Sequence, residues 1–201
     1  MKRLSIAMLL AAMLSLLGSS PALAVNPDTL TLTVSIGNTL SVRFATTGGA
    51  NLDAYDFGAM LLGQASVNTT AIGIDNDSGG LTESYQLSIG DTGGGLILRT
   101  DNAALSFNEY RVRGIFQAAA PSPANFANND IITGSAVAAT DNTTGIFCVD
   151  TTTPGGEDGV SVVPNGNTTP EINLWLELEL AATGSISGTQ TAFATVYINA
   201  V

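Results

Sequence analysis

The chain has no histidine and a single cysteine, Cys148, among its 201 residues. Without histidine, the catalytic triads that depend on imidazole are excluded, and most zinc sites lose their usual ligands. A single cysteine excludes a disulfide within the chain. For Cys148 this leaves a buried free thiol, which we expect, or a disulfide between two chains.

Basic residues are also scarce, with 6 Lys and Arg against 17 Asp and Glu and a formal charge of −11. Nucleic-acid binding requires clustered Lys and Arg, so we expect no nucleic-acid partner. Lys2 is the only lysine. If an N-terminal segment that includes Lys2 is cleaved from the mature protein, covalent or general-base catalysis by lysine is therefore excluded.

Residues 1–24 have the pattern of a bacterial export signal. Lys2 and Arg3 precede the apolar run Leu4–Leu17, and the small-residue site Ala22–Ala24 follows. The apolar run is shorter than a membrane-spanning helix, and no later run reaches about 20 apolar residues. We therefore predict a signal peptide, no membrane span in the mature chain, and secretion to the medium or cell surface, with the periplasm as the alternative compartment.

The rest of the chain alternates apolar and polar residues with the period of β-strands. The clearest segments are Leu81–Ile89, Ile172–Leu180 and Ala192–Ala200. Weaker candidates are Val67–Ile74, Leu96–Arg99, Glu109–Phe116 and Ile146–Val149. Beyond the signal peptide no segment has helical periodicity, so the pattern predicts an all-β fold.

Leu30–Phe44 is long for one strand, and its apolar residues keep the same parity on both sides of Gly37. A two-residue hairpin at Gly37 would place the two apolar sets on opposite faces. A three-residue loop or a kinked strand keeps them together. We favour a kinked strand that serves both sheets of a sandwich.

Turn residues separate the predicted strands, and residues 117–159 form a stretch rich in Ala, Pro, Asn, Asp, Thr and Gly. This stretch is too long for an ordinary connection between strands. We predict a single domain over residues 25–201, with residues 117–159 as a long surface insertion or a partly disordered loop.

Several of these segments resemble bacterial immunoglobulin-like modules. The similar features are Tyr55-Asp56-Phe57-Gly58, a spaced Gly63 and a strand ending in Asp75-Asn76-Asp77, together with Pro164–Asn167 before Leu174-Trp175-Leu176. Together with Glu109–Phe116 they are similar to a group of small secreted bacterial proteins, and more loosely to fibre-forming matrix proteins of the camelysin type. The resemblance implies an immunoglobulin-like or jelly-roll-like β-sandwich of about seven to nine strands outside the cytoplasm. It brings no catalytic residues.

Asp75 and Asp77 begin a loop with the spacing of a calcium site. Calcium loops need oxygen ligands at later positions as well, and here Gly79 and Gln86 occupy two of them. We therefore expect a hairpin turn and no metal or other cofactor, with weak calcium binding at Asp75 and Asp77 as the alternative.

Glu177 and Glu179 lie two residues apart on one strand, next to Trp175. Glycosidases use paired carboxyls, but strand geometry alone produces this spacing, so we expect no enzyme activity. We expect both glutamates to face solvent opposite Arg111 and Arg113 on a neighbouring strand. Trp175 is either covered by the insertion or exposed as a contact for a protein or a glycan.

We therefore expect a secreted, non-catalytic structural or adhesive protein, such as a subunit of an extracellular fibre, surface coat or matrix. A monomeric binding module for a glycan or another envelope protein is the alternative. Self-association through strand edges is expected because Leu30–Phe44 and Thr191–Val201 contain no Lys or Pro, and Arg43 is their only charge.

Overall fold

A computed structural model describes residues 40–140, 145–148, 158–166, 169–184 and 192–201. Within these ranges the chain forms nine β-strands and no α-helix, which confirms the all-β prediction. The predicted signal peptide and the segment before Leu40 lie outside the described residues. The strands are β1 (Val42–Ala45), β2 (Ala65–Val67), β3 (Ile72–Asn76), β4 (Tyr85–Gly94), β5 (Ile97–Leu98), β6 (Glu109–Phe116), β7 (Val137–Ala138), β8 (Ile172–Leu180) and β9 (Ala192–Ala200).

The strands form two sheets. The large sheet has the order β1-β3-β8-β6-β5, and β2 also pairs with β8. The small sheet has the order β7-β4-β9. Every pair is antiparallel except β5 with β6.

The two sheets pack face to face around one apolar core. A Cβ atom added at Gly114 of β6 would lie 3.1 Å from Cδ1 of Leu87 on β4, so the absent side chain lets the sheets approach. The rings of Tyr85 and Phe116 contact each other across the same interface, with centroids 5.8 Å apart. Alternate residues of the long strands supply the other core side chains, among them Ile74, Ile89, Val112, Leu174 and Leu176.

Three strands have the bounds that alternation predicts, namely β6, β8 and β9. The strand predicted at Leu81–Ile89 instead begins at Tyr85 and continues to Gly94. Its first residues are diverted because the backbone of Glu83 bonds to Val162. At Ile146–Val149 the described residues form only an isolated bridge between Cys148 and Phe116.

Asn68 divides the strand predicted at Val67–Ile74 into β2 and β3, which lie along the same edge of β8. Its backbone N–H donates to the carbonyl of Leu176 at 3.0 Å. Its Oδ1 accepts the N–H of Leu176 at 2.7 Å, while Nδ2 donates to the carbonyl of Thr70. The side-chain amide of Asn68 thus takes the place of a backbone carbonyl where the strand bulges. Both backbone groups of Leu176 therefore stay hydrogen-bonded.

The predicted insertion is well integrated where it is described. Phe126 packs over the outer face of the large sheet, against Ile115 and Trp175. Ile132 donates its N–H to Val112 of β6, and Thr133 accepts the N–H of Ile89 on β4. This part of the insertion therefore covers one sheet and links it to the other.

Candidate functional site

The charged residues on the outer face of the large sheet form one cluster. Arg111 and Arg113 on β6 stand opposite Glu179 and Glu177 on β8, as the sequence predicted. Nη2 of Arg111 lies 2.8 Å from Oε2 of Glu179, and Nη1 of Arg113 lies 2.5 Å from Oε2 of Glu177. Nη1 of Arg113 also lies 2.8 Å from Oε2 of Glu179. We refer to these four residues together with Asp130 as the charge cluster.

The charge cluster is largely buried. Glu177 is only 3% exposed, so the prediction that it faces solvent is wrong. Glu179 lies at the margin, with about a third of its side chain accessible. The segment containing Phe126 and Asp130 covers this face. The alternation of residues within β8 could not predict this cover, because the covering segment lies far away in the sequence.

Asp130 connects two loops at the edge of the charge cluster. Its Oδ2 accepts the N–H of Ala127 at 2.7 Å, and its Oδ1 accepts the N–H of Phe147 at 2.9 Å. Burial raises the pKa of Asp130 to about 6, although both N–H donors and the nearby Arg113 lower it. Asp130 therefore titrates close to neutral pH.

The two glutamates of the charge cluster have opposite pKa shifts. Burial raises the pKa of Glu177, and its hydrogen bond with Arg113 offsets part of that rise. Burial also acts to raise the pKa of Glu179, but the combined effect of Arg111 and Arg113 lowers it overall. Both carboxylates form ion pairs with arginines of β6. These ion pairs connect β6 to β8 in addition to the backbone hydrogen bonds.

Trp175 is covered by the insertion, which is the first of the two alternatives. Its side chain packs with Phe126 and Ile115, and its Nε1 donates to the carbonyl of Gln117 at 2.9 Å. At 6% exposure its indole does not present the open ring that an interface residue needs. Trp175 thus anchors the insertion, and the contact surface has to be sought elsewhere.

Asp75 and Asp77 differ in their surroundings, and calcium binding at this turn stays a prediction. Asp75 is buried and paired with Arg43, which also donates to Oδ1 of Asn51 at 2.7 Å. Asp77 is exposed, and its N–H donates to Ser41. Both line a surface depression of about 460 Å³. In the described part of the chain, no three acidic, Cys or His side chains are grouped to hold a metal ion.

Cys148 is buried, as we expected, and its backbone forms a bridge with Phe116. A disulfide between two chains stays the alternative prediction.

Glu83 is a buried carboxyl group that the sequence analysis did not single out. It is buried, and its Oε1 accepts the N–H of Ser41 at 2.7 Å, while Oε2 has no hydrogen-bond partner within the described residues. Burial raises the pKa of Glu83, as does the nearby Glu171, whereas the Ser41 N–H lowers it. The sequence could have predicted this burial, because Glu83 lies on the same face of the predicted strand as Tyr85 and Leu87.

Among the described strands, β9 pairs only with β4, which lies on its inner side. The outer side of β9 is therefore the longest open sheet edge in the described structure. Ser84 and Val201 exchange both backbone hydrogen bonds. Antiparallel pairs alternate between bonded and non-bonded positions, so every second residue before Val201 directs its N–H and C=O away from β4. These residues are Ala194, Val196, Ile198 and Ala200.

The backbone of β4 supports this assignment. Tyr85 and Ile89, opposite Ala200 and Val196, donate their N–H groups to Gly159 and Thr133 rather than to β9. The outward groups of β9 therefore form a row of donors and acceptors that a further strand can bind.

The other open edges are shorter or carry charge. β5 and β7 have two residues each, and β1 has four with Arg43 among them. Residues 192–201 contain no charged residue and no proline. β9 therefore lacks the features that usually prevent edge pairing.

Within the described residues, no helix has the length and apolar character that crossing a membrane requires. No family model and no curated protein sequence matches this chain.

Proposed function

We propose that this chain is a secreted, non-catalytic structural or adhesive protein that associates with copies of itself in an extracellular fibre, coat or matrix. The observation that carries the proposal is the outer edge of β9, which is long, uncharged and unpaired in the described structure. Edges of this kind bind other strands through backbone hydrogen bonds.

The proposed architecture is an immunoglobulin-like sandwich. Two facing sheets, made almost wholly of antiparallel pairs, support it.

The charge cluster suits a load-bearing scaffold. Arg111 and Arg113 join β6 to β8 through buried ion pairs, and Asp130 ties two loops of the insertion together. Each of the two glutamates of β8 pairs with at least one of these arginines. Their role is to fix the large sheet and its cover.

A monomeric binding module is the second candidate, and a separate observation favours it. Leu61, Ile97 and Phe107 are large apolar residues with more than half of their surface exposed. Leu61 and Phe107 lie in loops and Ile97 in β5, and these segments lie at one end of the sandwich, where Gly63 donates to Ala181 and Asn108 donates to Thr183. Exposed apolar loops at the end of a sandwich are a typical contact surface for a protein or a glycan.

Size-exclusion chromatography and negative-stain microscopy of residues 25–201 distinguish the two candidates. We expect polymers that grow with salt or calcium, because both reduce repulsion within an acidic protein. Deleting residues 25–36 should abolish the polymers and leave a less stable monomer. A chain that stays monomeric at high concentration, in both salt and calcium, would contradict the assembly and favour the binding module.

Secretion has its own test. Intact-mass measurement of the exported protein should show cleavage after Ala24. A mass that retains residues 1–24 would refute the proposed signal peptide.

A further inference from the structure

We infer that the outer edge of β9 accepts Leu30–Ile36 of a second copy of this chain, paired antiparallel to β9. This inference rests on the proposed self-association and names its two contacting surfaces. The donor segment lies before the described residues, and the acceptor lies within them.

The spacing of the two segments matches. Four residues of β9 over a span of seven direct backbone groups outward, and three of them, Val196, Ile198 and Ala200, pack on the core between the sheets. Val196 and Ile198 pack on the core but are only partly buried, so this flank of the core is incompletely covered. The donor offers four apolar residues with the same spacing over the same span, namely Leu30, Leu32, Val34 and Ile36.

β1 of the large sheet lies close to β9 on this flank. Val42 and Phe44 of β1 also pack on the core while remaining partly exposed. A strand added beside β9 would direct its apolar residues toward Val42 and Phe44 and remove that surface from water. Apolar burial thus adds to backbone hydrogen bonding at this edge.

The position of Ser41 favours a second copy over the chain's own segment. Ser41 is held by Glu83 and Asp77, at the end of the sandwich where Val201 pairs with Ser84. β1 then runs inward from that end. A segment reaching β9 of its own chain and returning through Ser41 would have to run parallel to β9. A second copy can pair antiparallel, as every strand of the small sheet does, and antiparallel pairing is the more stable form.

Charge does not oppose the contact. Residues 29–42 and 192–201 contain no charged residue, so the acidic repulsion between copies comes from other surfaces and is screened by salt. Because the donor of one copy binds the edge of the next, the contact is heterologous, and it extends into an open polymer when the rotation between copies does not close a ring.

Two proline variants test the acceptor. Ala194→Pro removes an outward N–H and places the proline ring where a neighbouring strand would bind, without removing a bond to β4. Thr195→Pro is the matched control, because Thr195 pairs with Gly90 at a bonded position and its N–H points to β4. We expect Ala194→Pro to retain the melting temperature of the parent and lose polymers. Thr195→Pro should lower the melting temperature.

A peptide of residues 25–39 tests the donor directly. We expect it to bind the chain that lacks residues 25–36, measured by fluorescence anisotropy, and to bind the same chain carrying Ala194→Pro about tenfold or more weakly. Equal binding to both chains would overturn the assignment of β9.

The remaining outcomes separate this inference from the proposed function. Polymers that disappear on deletion of residues 25–36 but persist in Ala194→Pro would overturn the acceptor and leave self-association standing. If the peptide binds the shortened chain while the full mature chain stays monomeric, the segment occupies the edge of its own chain. That result would overturn both the second copy and the assembly. Equal loss of melting temperature in the two proline variants would contradict the outward direction of Ala194.

Discussion

Arg113 of β6 and Glu177 of β8 lie opposite each other on adjacent strands of the large sheet, with Nη1 of the arginine 2.5 Å from Oε2 of the glutamate. Both side chains are at least about nine-tenths buried. Ions so enclosed have lost most of their hydration, and each relies on the other for compensation. The outer face of the large sheet therefore contains a second buried region, in which paired charges lie beside the apolar contacts of Trp175.

Replacing Glu177 by alanine should consequently destabilise the protein. Glu177→Ala removes the nearer of the two carboxylates that pair with the buried Arg113 and leaves Glu179, so we expect the free energy of unfolding to fall by about 1–3 kcal/mol. Urea titration measures this change. Asp101→Ala is the control, because Asp101 pairs with Arg99 at the surface, and that loss should stay below about 1 kcal/mol. Equal effects of the two variants would show that Glu177 is solvated.

Asp130 should make stability depend on pH. Its pKa is raised to about 6 in the folded chain against an ordinary value of 3.8, so the folded state binds a proton more readily than the unfolded state between these values. Stability from this group is therefore greatest at low pH and falls as the pH rises through about 6. No histidine titrates in the same range.

The measurement is thermal unfolding at pH 5 and pH 7.5 of the parent and of Asp130→Asn. The parent should lose more stability on going to pH 7.5 than the variant does. Glu83, whose pKa is also raised and which is not among the groups that shift Asp130, contributes in the same direction to both proteins. A pH dependence that is identical in the two proteins would rule out Asp130 as its source.

Asn68 should be essential to the junction between β2 and β3. Asn68→Ala leaves the buried N–H of Leu176 without its acceptor, and an unpaired buried amide costs about 1–3 kcal/mol. Chemical denaturation should show a loss in this range. Asn199→Ala, on the exposed face of β9, is the control and should have little effect. A small effect of Asn68→Ala would mean that water takes over the amide's role.

The single tryptophan reports whether the insertion stays docked. Trp175 lies beneath Phe126, so its fluorescence should be blue-shifted and weakly quenched by acrylamide. Phe126→Ala should shift the emission to the red and increase quenching. Phe107→Ala, an exposed residue at a distant loop, should leave both unchanged. Strong quenching in the parent would contradict the covered position of Trp175.

Strand identity was readable wherever alternation was regular. β6, β8 and β9 have their predicted bounds, because one face of each packs on the core and the side-chain period of a strand is two residues. The pairing of Arg111 and Arg113 with the glutamates of β8 was also readable from opposite charges at matching spacing. Local pattern failed at Asn68, where a single side chain substitutes for backbone and splits one predicted strand into two.

By itself the sequence determined the all-β class, the long strands and the absence of charge along β9, since each follows from residue type and period within one segment. Tertiary structure decided which faces are buried. Glu177 lies on the polar side of its strand and is enclosed only because residues near Phe126, some fifty positions earlier, fold over it. Among the described strands, tertiary structure also decided that β9 has an open edge, because an edge is defined by which strands pair and not by the strand itself. Burial and pairing depend on contacts between distant segments, and a pattern within one segment carries no information about them.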